Sequence, residues 1–236
     1  LEVPHYNTKN VTNMNYMFQY SGIMNLPDFD YSNVTNMIYM LSRLGNLVEV
    51  PVIEAPKCTT MSNLFAYSDK IETINGINAP NCTNMSSLCY YASKLKKMEN
   101  VINTSKVTSI NGMFHSANLV ENICELDASS VTDCRSFCYG NKPNFTIFGG
   151  LINLGKAYLT TQTENYNYYT LDLSTCPNLT LQSALNVLEG LFDIATKGCE
   201  RQQVRFHTNV MNLLQNSEEG QQALAEADAK GWNITT

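Results

Sequence analysis

One motif recurs six times in the first 150 residues, and this repetition constrains the fold more than any other feature of the sequence. Each copy begins with Val or Cys, continues with Thr and a polar residue, and has an apolar residue or Cys in fourth place. The copies begin at Val11, Val34, Cys58, Cys82, Val107 and Val131. Units at a near-constant spacing of 23 to 25 residues are typical of solenoids, in which each unit buries its apolar residues against its neighbours.

Positions within a copy are counted as offsets from its initial Val or Cys, and we expect the six offset-zero residues to form one buried row. Apolar residues recur at offsets three, six and seven, a spacing that predicts one face of a short helix. The Thr at offset one is expected to cap this helix through its hydroxyl. A second apolar set at offsets 13, 16 and 19, as in Ile71, Ile74 and Ile77, predicts a strand side that pairs in parallel. The polar residues at offset two should stack as a ladder: Asn13, Asn36, Thr60, Asn84, Ser109 and Asp133.

The pattern V-T-x-M-x-x-M-F, followed by Leu near offset 13, resembles the short leucine-rich repeats of BspA-like bacterial surface proteins. Similar repeats occur in tail and receptor-binding proteins of gut bacteriophages. The resemblance implies a leucine-rich-repeat solenoid over residues 1–150, a right-handed α/β coil with a parallel sheet and about six repeats of 24 residues. It also implies attachment rather than chemistry, at the cell surface, outside the cell or on a virion tail.

Residues 151–236 no longer follow the repeat and predict a helix-containing module. Leu171–Leu173 is strand-like, and Thr180 is positioned to cap a helix that runs to Gly198. A strand is expected from Val204 to His207, and a second helix from Ser217 to Gly231, followed by a strand-like end. This β-α-β-α-β order is expected to continue the parallel sheet and to cap the open end of the solenoid. The module resembles the closing module of the same class of repeat proteins.

The charge balance and hydropathy exclude two classes of partner. Fifteen basic against twenty-one acidic residues give a net charge of −6, which argues against nucleic acid because phosphate binding needs clustered Lys and Arg. No apolar run approaches the roughly 18 residues that span a bilayer, so membrane insertion is not expected. The sequence shows no signal-peptide or anchor pattern and is interpreted as a mature product or a fragment.

The cysteines and histidines give little support to chemistry. Five of the eight cysteines occupy core positions of the repeat, which favours buried free thiols over the alternatives of disulfides or a metal site. His5, His115 and His207 share no catalytic spacing, and Asp28 and Asp30 are better explained by a solvated turn than by a cation site. No metal, cofactor or enzymatic activity is expected.

The aromatic residues that follow the core positions are the most suggestive candidates for binding. Tyr20, Tyr67 and Tyr91 share offset nine, while Tyr90, His115 and Tyr139 share offset eight. Neighbouring parallel strands lie about 4.8 Å apart, so equal offsets should form a column. Such a column suits a sugar or protein partner, although the rings could instead simply cover the edge of the repeat.

Two functions therefore remain open from the sequence. The first is a non-enzymatic recognition module that binds a surface glycan or protein receptor, as a bacterial adhesin or a phage tail component. The alternative is a structural part of a virion tail or surface assembly, in which the repeats contact sister chains.

Overall fold

Copies two to six of the repeat each form two short strands that pair in parallel with the equivalent strands of neighbouring copies. The computed structural model describes residues 3–4, 6–157 and 171–236. The strands of these copies are β1 (Glu49–Val50), β2 (Ile53–Glu54), β3 (Thr73–Ile74), β4 (Ile77–Asn78), β5 (Lys97–Met98), β6 (Val101–Ile102), β7 (Asn122–Ile123), β8 (Leu126–Asp127), β9 (Ile147–Phe148) and β10 (Leu151–Ile152). The odd-numbered strands form one five-stranded sheet, β2, β4 and β6 form a second sheet, and β8 pairs with β10. The predicted parallel strand side is confirmed for copies two to six, whereas the first copy, all of which is described, forms no strand there.

The buried residues of the strands and turns form one hydrophobic core. Val50, Ile74, Met98 and Ile123 lie at offset 16, are fully buried, and are paired in register across the five-stranded sheet. At offset zero, five of the six predicted residues are buried, whereas Val11 is only partly buried. Side chains of equal offset therefore touch across copies, and stacking supplies the core that a single copy lacks.

The first copy departs from this burial pattern. Met17 is 42% exposed, although Met40 and Met113 at the same offset are fully buried. Among the described residues, no repeat copy stacks on the outer side of the first one. Met17 is therefore covered from one side only, which also explains the partial exposure of Val11, whereas Met14 and Phe18 of the same copy remain buried.

The short helix predicted from the apolar residues at offsets zero, three, six and seven is wrong: offsets three to nine of each copy, which we call the turn segment, form a succession of turns. Residues at offsets five and nine have positive φ in all six copies, as at Tyr16 (58°) and Tyr20 (62°). A left-handed residue at every fourth position prevents a right-handed helix from propagating. Alternate N–H groups donate to the next copy instead, as Phe18 N does to Met40 O (3.0 Å). The successive turns still return apolar residues to the core every three or four positions.

The threonines at offset one form a ladder rather than helix caps. The hydroxyl of Thr59 donates to Thr35 O (3.0 Å), and that of Thr83 donates to Thr59 O (3.1 Å). The predicted polar ladder at offset two is confirmed, since successive members are joined by parallel backbone bridges from the first copy to the sixth. Its side chains tighten the turns, as when Asn13 Oδ1 accepts from Asn15 N (2.9 Å).

Residues 171–236 form a three-stranded parallel sheet packed with helices. Its elements are β11 (Leu171–Leu173), α1 (Leu181–Glu189), a 3-10 turn (Ala195–Lys197), β12 (Gln202–Phe206), α2 (Thr208–Gln215), α3 (Glu218–Ala229) and β13 (Trp232–Thr235). The predicted cap of α1 is confirmed, because Thr180 Oγ1 accepts from Ser183 N (3.2 Å). Strands β11, β12 and β13 and helix α3 also match the expected order.

The C-terminal prediction fails at three points. Helix α1 ends at Glu189, well before Gly198, because the chain straightens there to pair Leu191 with Leu154 in a parallel bridge. Helix α2 was not predicted, and His207, expected in the strand, is its N-cap. Over the described residues, the sheet β11-β12-β13 is separate from the repeat sheets and does not continue them.

At the edge of the five-stranded sheet, helix α1 takes the place that a further strand would have. Ser183 Oγ donates to Thr146 O (2.9 Å) and accepts from Phe148 N (3.0 Å), while Asn186 Nδ2 donates to Phe148 O (2.9 Å). Gly150 makes this approach possible, because a Cβ at this position would lie 2.7 Å from Asn186 O. Side chains of α1 therefore satisfy the backbone groups that β9 would otherwise leave unpaired.

Replacing Ser183 by Ala should lower the free energy of unfolding by about 1–3 kcal/mol, since the buried N–H of Phe148 loses its acceptor. Glu189→Ala on the exposed side of the same helix is the matched control and should change stability by no more than about 0.5 kcal/mol. Urea unfolding measures both values. Equal stability of the two variants would contradict the role given to Ser183.

Candidate functional site

All six predicted aromatic residues lie in one continuous stack, which runs from the first copy to the sixth. We call it the aromatic column, and it consists of Tyr20, Arg43, Tyr67, Tyr90, Tyr91, His115 and Tyr139. The Tyr67 and Tyr91 rings stack with centroids 5.4 Å apart and planes 15° apart. His115 continues the stack, with its ring 5.7 Å from Tyr91 and 4.9 Å from Tyr139. Tyr90 fills the space beside it, with its ring 4.8 Å from Tyr91 and 4.6 Å from His115.

The backbone of the turn segments sets the spacing of the column. In copies one to five the offset-nine N–H donates to the next copy, as in Tyr67 N to Tyr90 O (2.7 Å) and Tyr91 N to His115 O (2.8 Å). The same residues have positive φ, 59° at Tyr67 and 55° at Tyr91. Repetition of one left-handed turn therefore aligns one side chain per copy, with neighbours in contact.

Arg43 belongs to the column, although the sequence analysis did not select it. Its guanidinium carbon lies 4.3 Å from the centroid of the Tyr67 ring and 5.2 Å from that of Tyr20. The side chain is exposed, and it bridges the two rings that the second copy would otherwise leave apart. A search by residue position rather than by aromatic type would have found it, because Arg43 stands at offset nine.

The column presents ring edges rather than ring faces to solvent. Tyr20 and Tyr139 at its ends are 70% and 60% exposed, while the stacked Tyr67 and Tyr91 are 38% and 44% exposed. Since the faces of the inner rings contact one another, their solvent side consists of edges and phenol hydroxyls. Flat apolar faces for a sugar, as the sequence suggested, are therefore limited to the ends of the stack.

The surroundings of His115 in the column favour its neutral form. Burial, followed by the nearby charge of Lys142, lowers the pKa of His115 below its usual value. Its Nδ1 lies 3.0 Å from the hydroxyl of Ser116. The central part of the column is therefore uncharged, and Arg43 is its cation.

A second, smaller stack lies at offset five of the first two copies. The rings of Tyr16 and Tyr39 are 5.2 Å apart with planes 10° apart, and both residues have positive φ. This pair shares the chemistry and backbone of the aromatic column but includes no cation among its described contacts. It therefore provides a matched control for substitutions in the column.

Six of the eight cysteines lie in the core, including the five for which this was predicted, while Cys124 and Cys199 are half-buried against it. Burial raises the pKa of Cys58 to about 12 and that of Cys82 to about 11, so both are protonated at neutral pH. Cys138 and Cys176 contact each other through their thiols, beside the fully buried Lys142. Such thiols react slowly and are poor metal ligands.

Titration of the protein with a thiol reagent in denaturant, without reductant, should count close to eight thiols. The same titration after reduction is the control. A count near six would indicate a bridge between Cys138 and Cys176, and a count near zero would show that the core positions were misinterpreted.

The remaining candidates do not form a site. Asp28 and Asp30 lie in an open cleft of about 560 Å³ that is also lined by Tyr31 and Glu54, and Asp30 Oδ1 accepts from Ser32 N (2.8 Å). Within the described part of the chain, no group of three or more His, Cys, Asp or Glu side chains is arranged to hold a metal ion. His5 lies outside the described residues.

The helices of the C-terminal module are short. None of the helices that the structure describes is long and apolar enough to span a membrane.

Comparison with known proteins gives one family. The family described as "Mycoplasma protein of unknown function, DUF285" matches residues 2–50 and 59–146, which together are more than half of the chain. No curated protein and no solved structure matches the chain significantly. The matched residues contain all of the turn segments that carry the aromatic column. The chain therefore belongs to the DUF285 family.

Proposed function

We propose that this chain is a non-enzymatic recognition module, which attaches a bacterial cell or a virion to a receptor on another surface. In this proposal, residues 1–150 are a BspA-like leucine-rich-repeat solenoid of six copies, and residues 151–236 are the module that closes it. The parallel, in-register strands support the solenoid, and the family match supports the resemblance to repeat-containing surface proteins.

The observation that carries the proposal is the aromatic column. Tyrosine hydroxyls, an imidazole and a guanidinium are aligned along one side of the repeat and are reachable from solvent. Tyr and Arg are the residues on which binding surfaces depend most, because they combine a large contact area with hydrogen bonding. A row of such groups on a rigid repeat suits an extended receptor better than a small metabolite.

A second candidate function is a structural role in a tail or surface assembly. Exposed Val48 and Val52 flank β1 on the strand side and offer apolar surface for a sister chain. If this role is correct, the purified protein should associate at micromolar concentration in sedimentation experiments. Val48→Asn should then abolish association, while the column variants below should leave it unchanged.

The test of recognition compares two double variants, Tyr67→Asn/Tyr91→Asn in the column and Tyr16→Asn/Tyr39→Asn at offset five. Asn tolerates positive φ better than other residues with side chains, so both pairs should fold. Binding of fluorescent protein to a glycan array and to panels of intact bacterial and mammalian cells is the readout. We expect the column variant to bind at least about tenfold more weakly than the control variant, as for loss of an interface hot spot.

The melting temperatures of the two variants provide the check on folding. The column pair loses ring contacts with Tyr90 and His115 and the contact with Arg43 as well as its own stack, so it should melt below the offset-five pair. Binding is therefore compared at a temperature at which circular dichroism shows both variants fully folded. If both variants bind like the wild type, the tyrosines only cover the edge of the repeat, and the proposed recognition surface is wrong.

A further inference from the structure

We infer that the aromatic column binds a glycan that carries a carboxylated sugar, such as a sialic or uronic acid, and that Arg43 receives the carboxylate. This inference rests on the proposed function and names the ligand class of that surface.

Arg43 contacts two tyrosine rings of the column and remains open to a ligand. Its guanidinium carbon lies 5.2 Å from the centroid of the Tyr20 ring and 4.3 Å from that of the Tyr67 ring, and the side chain is exposed to solvent. Among the described residues, no carboxylate pairs with it. Contact with two rings restricts the movement of the guanidinium, whose planar fork can donate two parallel hydrogen bonds to a carboxylate.

The charge around the column is positive, opposite to the net charge of the whole protein. Across the six copies, the segment from offset three to offset twelve contains a single acidic residue, Asp69. The same segments contain five basic residues: Arg43, Lys70, Lys94, Arg135 and Lys142. Lys142 is buried and Arg135 pairs with Asp133 (2.8 Å), which leaves three exposed cations against one carboxylate. A chain of net charge −6 therefore presents a locally positive surface at the column.

The column suits a ligand that carries a single negative charge. Arg43 is the cation inside the column, and the groups beyond it are phenols and a neutral imidazole. One carboxylate followed by uncharged hydroxyls matches this order. A polyanion would meet a protein of net negative charge at most other points of its surface.

The surface of the column favours a glycan over an acidic peptide. The inner ring faces are occupied by their neighbours, so the column offers no apolar pocket for an anchoring side chain of a protein partner. What it offers is a row of hydrogen-bonding edges repeated once per copy. A ligand rich in hydroxyl groups satisfies such a row along its whole length.

The experiment measures binding of 3′-sialyllactose, a glucuronic acid-terminated disaccharide, and their neutral counterparts lactose and the glucose-terminated disaccharide. The proteins are the full chain, Arg43→Gln, Arg43→Lys and Tyr67→Asn/Tyr91→Asn. We expect the wild type to bind at least one carboxylated probe about tenfold more tightly than its neutral counterpart, the range of a hydrogen-bonded charge. Arg43→Gln should remove this preference, and Arg43→Lys should keep part of it because the charge remains while the planar fork is lost.

Three results would overturn the inference. One is equal or undetectable binding of carboxylated and neutral probes by the wild type. Another is an unchanged preference in Arg43→Gln when its melting temperature matches that of the wild type. The last is binding of a glutamate-rich peptide in place of the carboxylated sugars. Loss of cell binding in Tyr67→Asn/Tyr91→Asn with full cell binding in Arg43→Gln would leave the proposed recognition surface intact and contradict the carboxylate assignment. Unchanged cell binding in both variants would contradict the recognition surface and the carboxylate assignment alike.

Discussion

Replacing Met113 by Ala should lower the free energy of unfolding by about 2–5 kcal/mol, whereas Met17→Ala should lower it by less than about 1 kcal/mol. Both residues stand at offset six, but Met113 is fully buried between neighbouring copies and Met17 is 42% exposed. The substitution is the same at both positions, so the difference between the two losses of stability measures how much the neighbouring copies contribute by burying the side chain. Urea unfolding followed by circular dichroism gives both values. Similar losses at the two positions would contradict the stacking of copies as the source of the core.

Replacing Lys142 by Met should raise the free energy of unfolding by about 1–4 kcal/mol at pH 7, the range seen when buried charged groups are replaced by apolar ones. Lys142 is fully buried, and among the residues that the structure describes its Nζ donates to one carbonyl, Tyr139 O (3.2 Å). An ammonium with so few partners loses more hydration than it regains in the fold. Chemical denaturation of wild type and variant measures the difference.

The gain from Lys142→Met should also depend on pH. Burial lowers the pKa of Lys142 in the folded state, so the unfolded chain binds this proton more tightly than the folded one. Wild-type stability therefore rises as pH increases from the folded pKa towards the unfolded value of about 10.4. The variant lacks this term, and its advantage should be largest at neutral pH and shrink towards pH 10. A variant that is less stable than the wild type at pH 7, or an advantage that does not change with pH, would contradict this account.

The core of the repeat could be read from the sequence because its spacing repeats six times. Residues at equal offsets have the same environment, so the burial of Ile74 predicts the burial of Met98 and Ile123 beside it. Met17 and Val11 are exceptions, and they follow from their place at the end of the described stack, which a periodic pattern does not reveal.

The turn segments could not be predicted because two structures share their spacing. A short helix and a succession of tight turns both return a residue to the same side every three or four positions. Positive φ distinguishes them, and it falls on Tyr, Arg, Ser and Asn residues, as at Tyr67 and Arg43. Only at Gly112 and Gly140 does the residue type itself indicate a left-handed backbone.

The C-terminal module shows the limits of capping signals. Ser217 and Thr180 are common N-cap residues, and the helices that follow them were predicted. His207 is an uncommon cap, and α2 was missed although the His207 ring accepts from Asn209 N (3.1 Å). The end of α1 depends on the contact of Leu191 with Leu154, a tertiary pairing that local sequence does not encode.

The candidate site was predictable in position but not in orientation. Equal offsets predicted that the tyrosines would form a column, and the rings do stack from Tyr67 to Tyr139. The spacing could not show that the inner faces are occupied by one another. It also did not point to Arg43, because the pattern was followed through aromatic residues alone.

Hydroxyl-radical footprinting tests recognition through the aromatic column most directly. The oxidation of each tyrosine is measured by mass spectrometry in the free protein and in protein bound to cells that it labels. We predict that binding protects Tyr67, Tyr91 and Tyr139, while Tyr16 at offset five stays as reactive as in the free protein. Unchanged oxidation of the column, with protection of Val48 and Val52 on the strand side instead, would contradict the account.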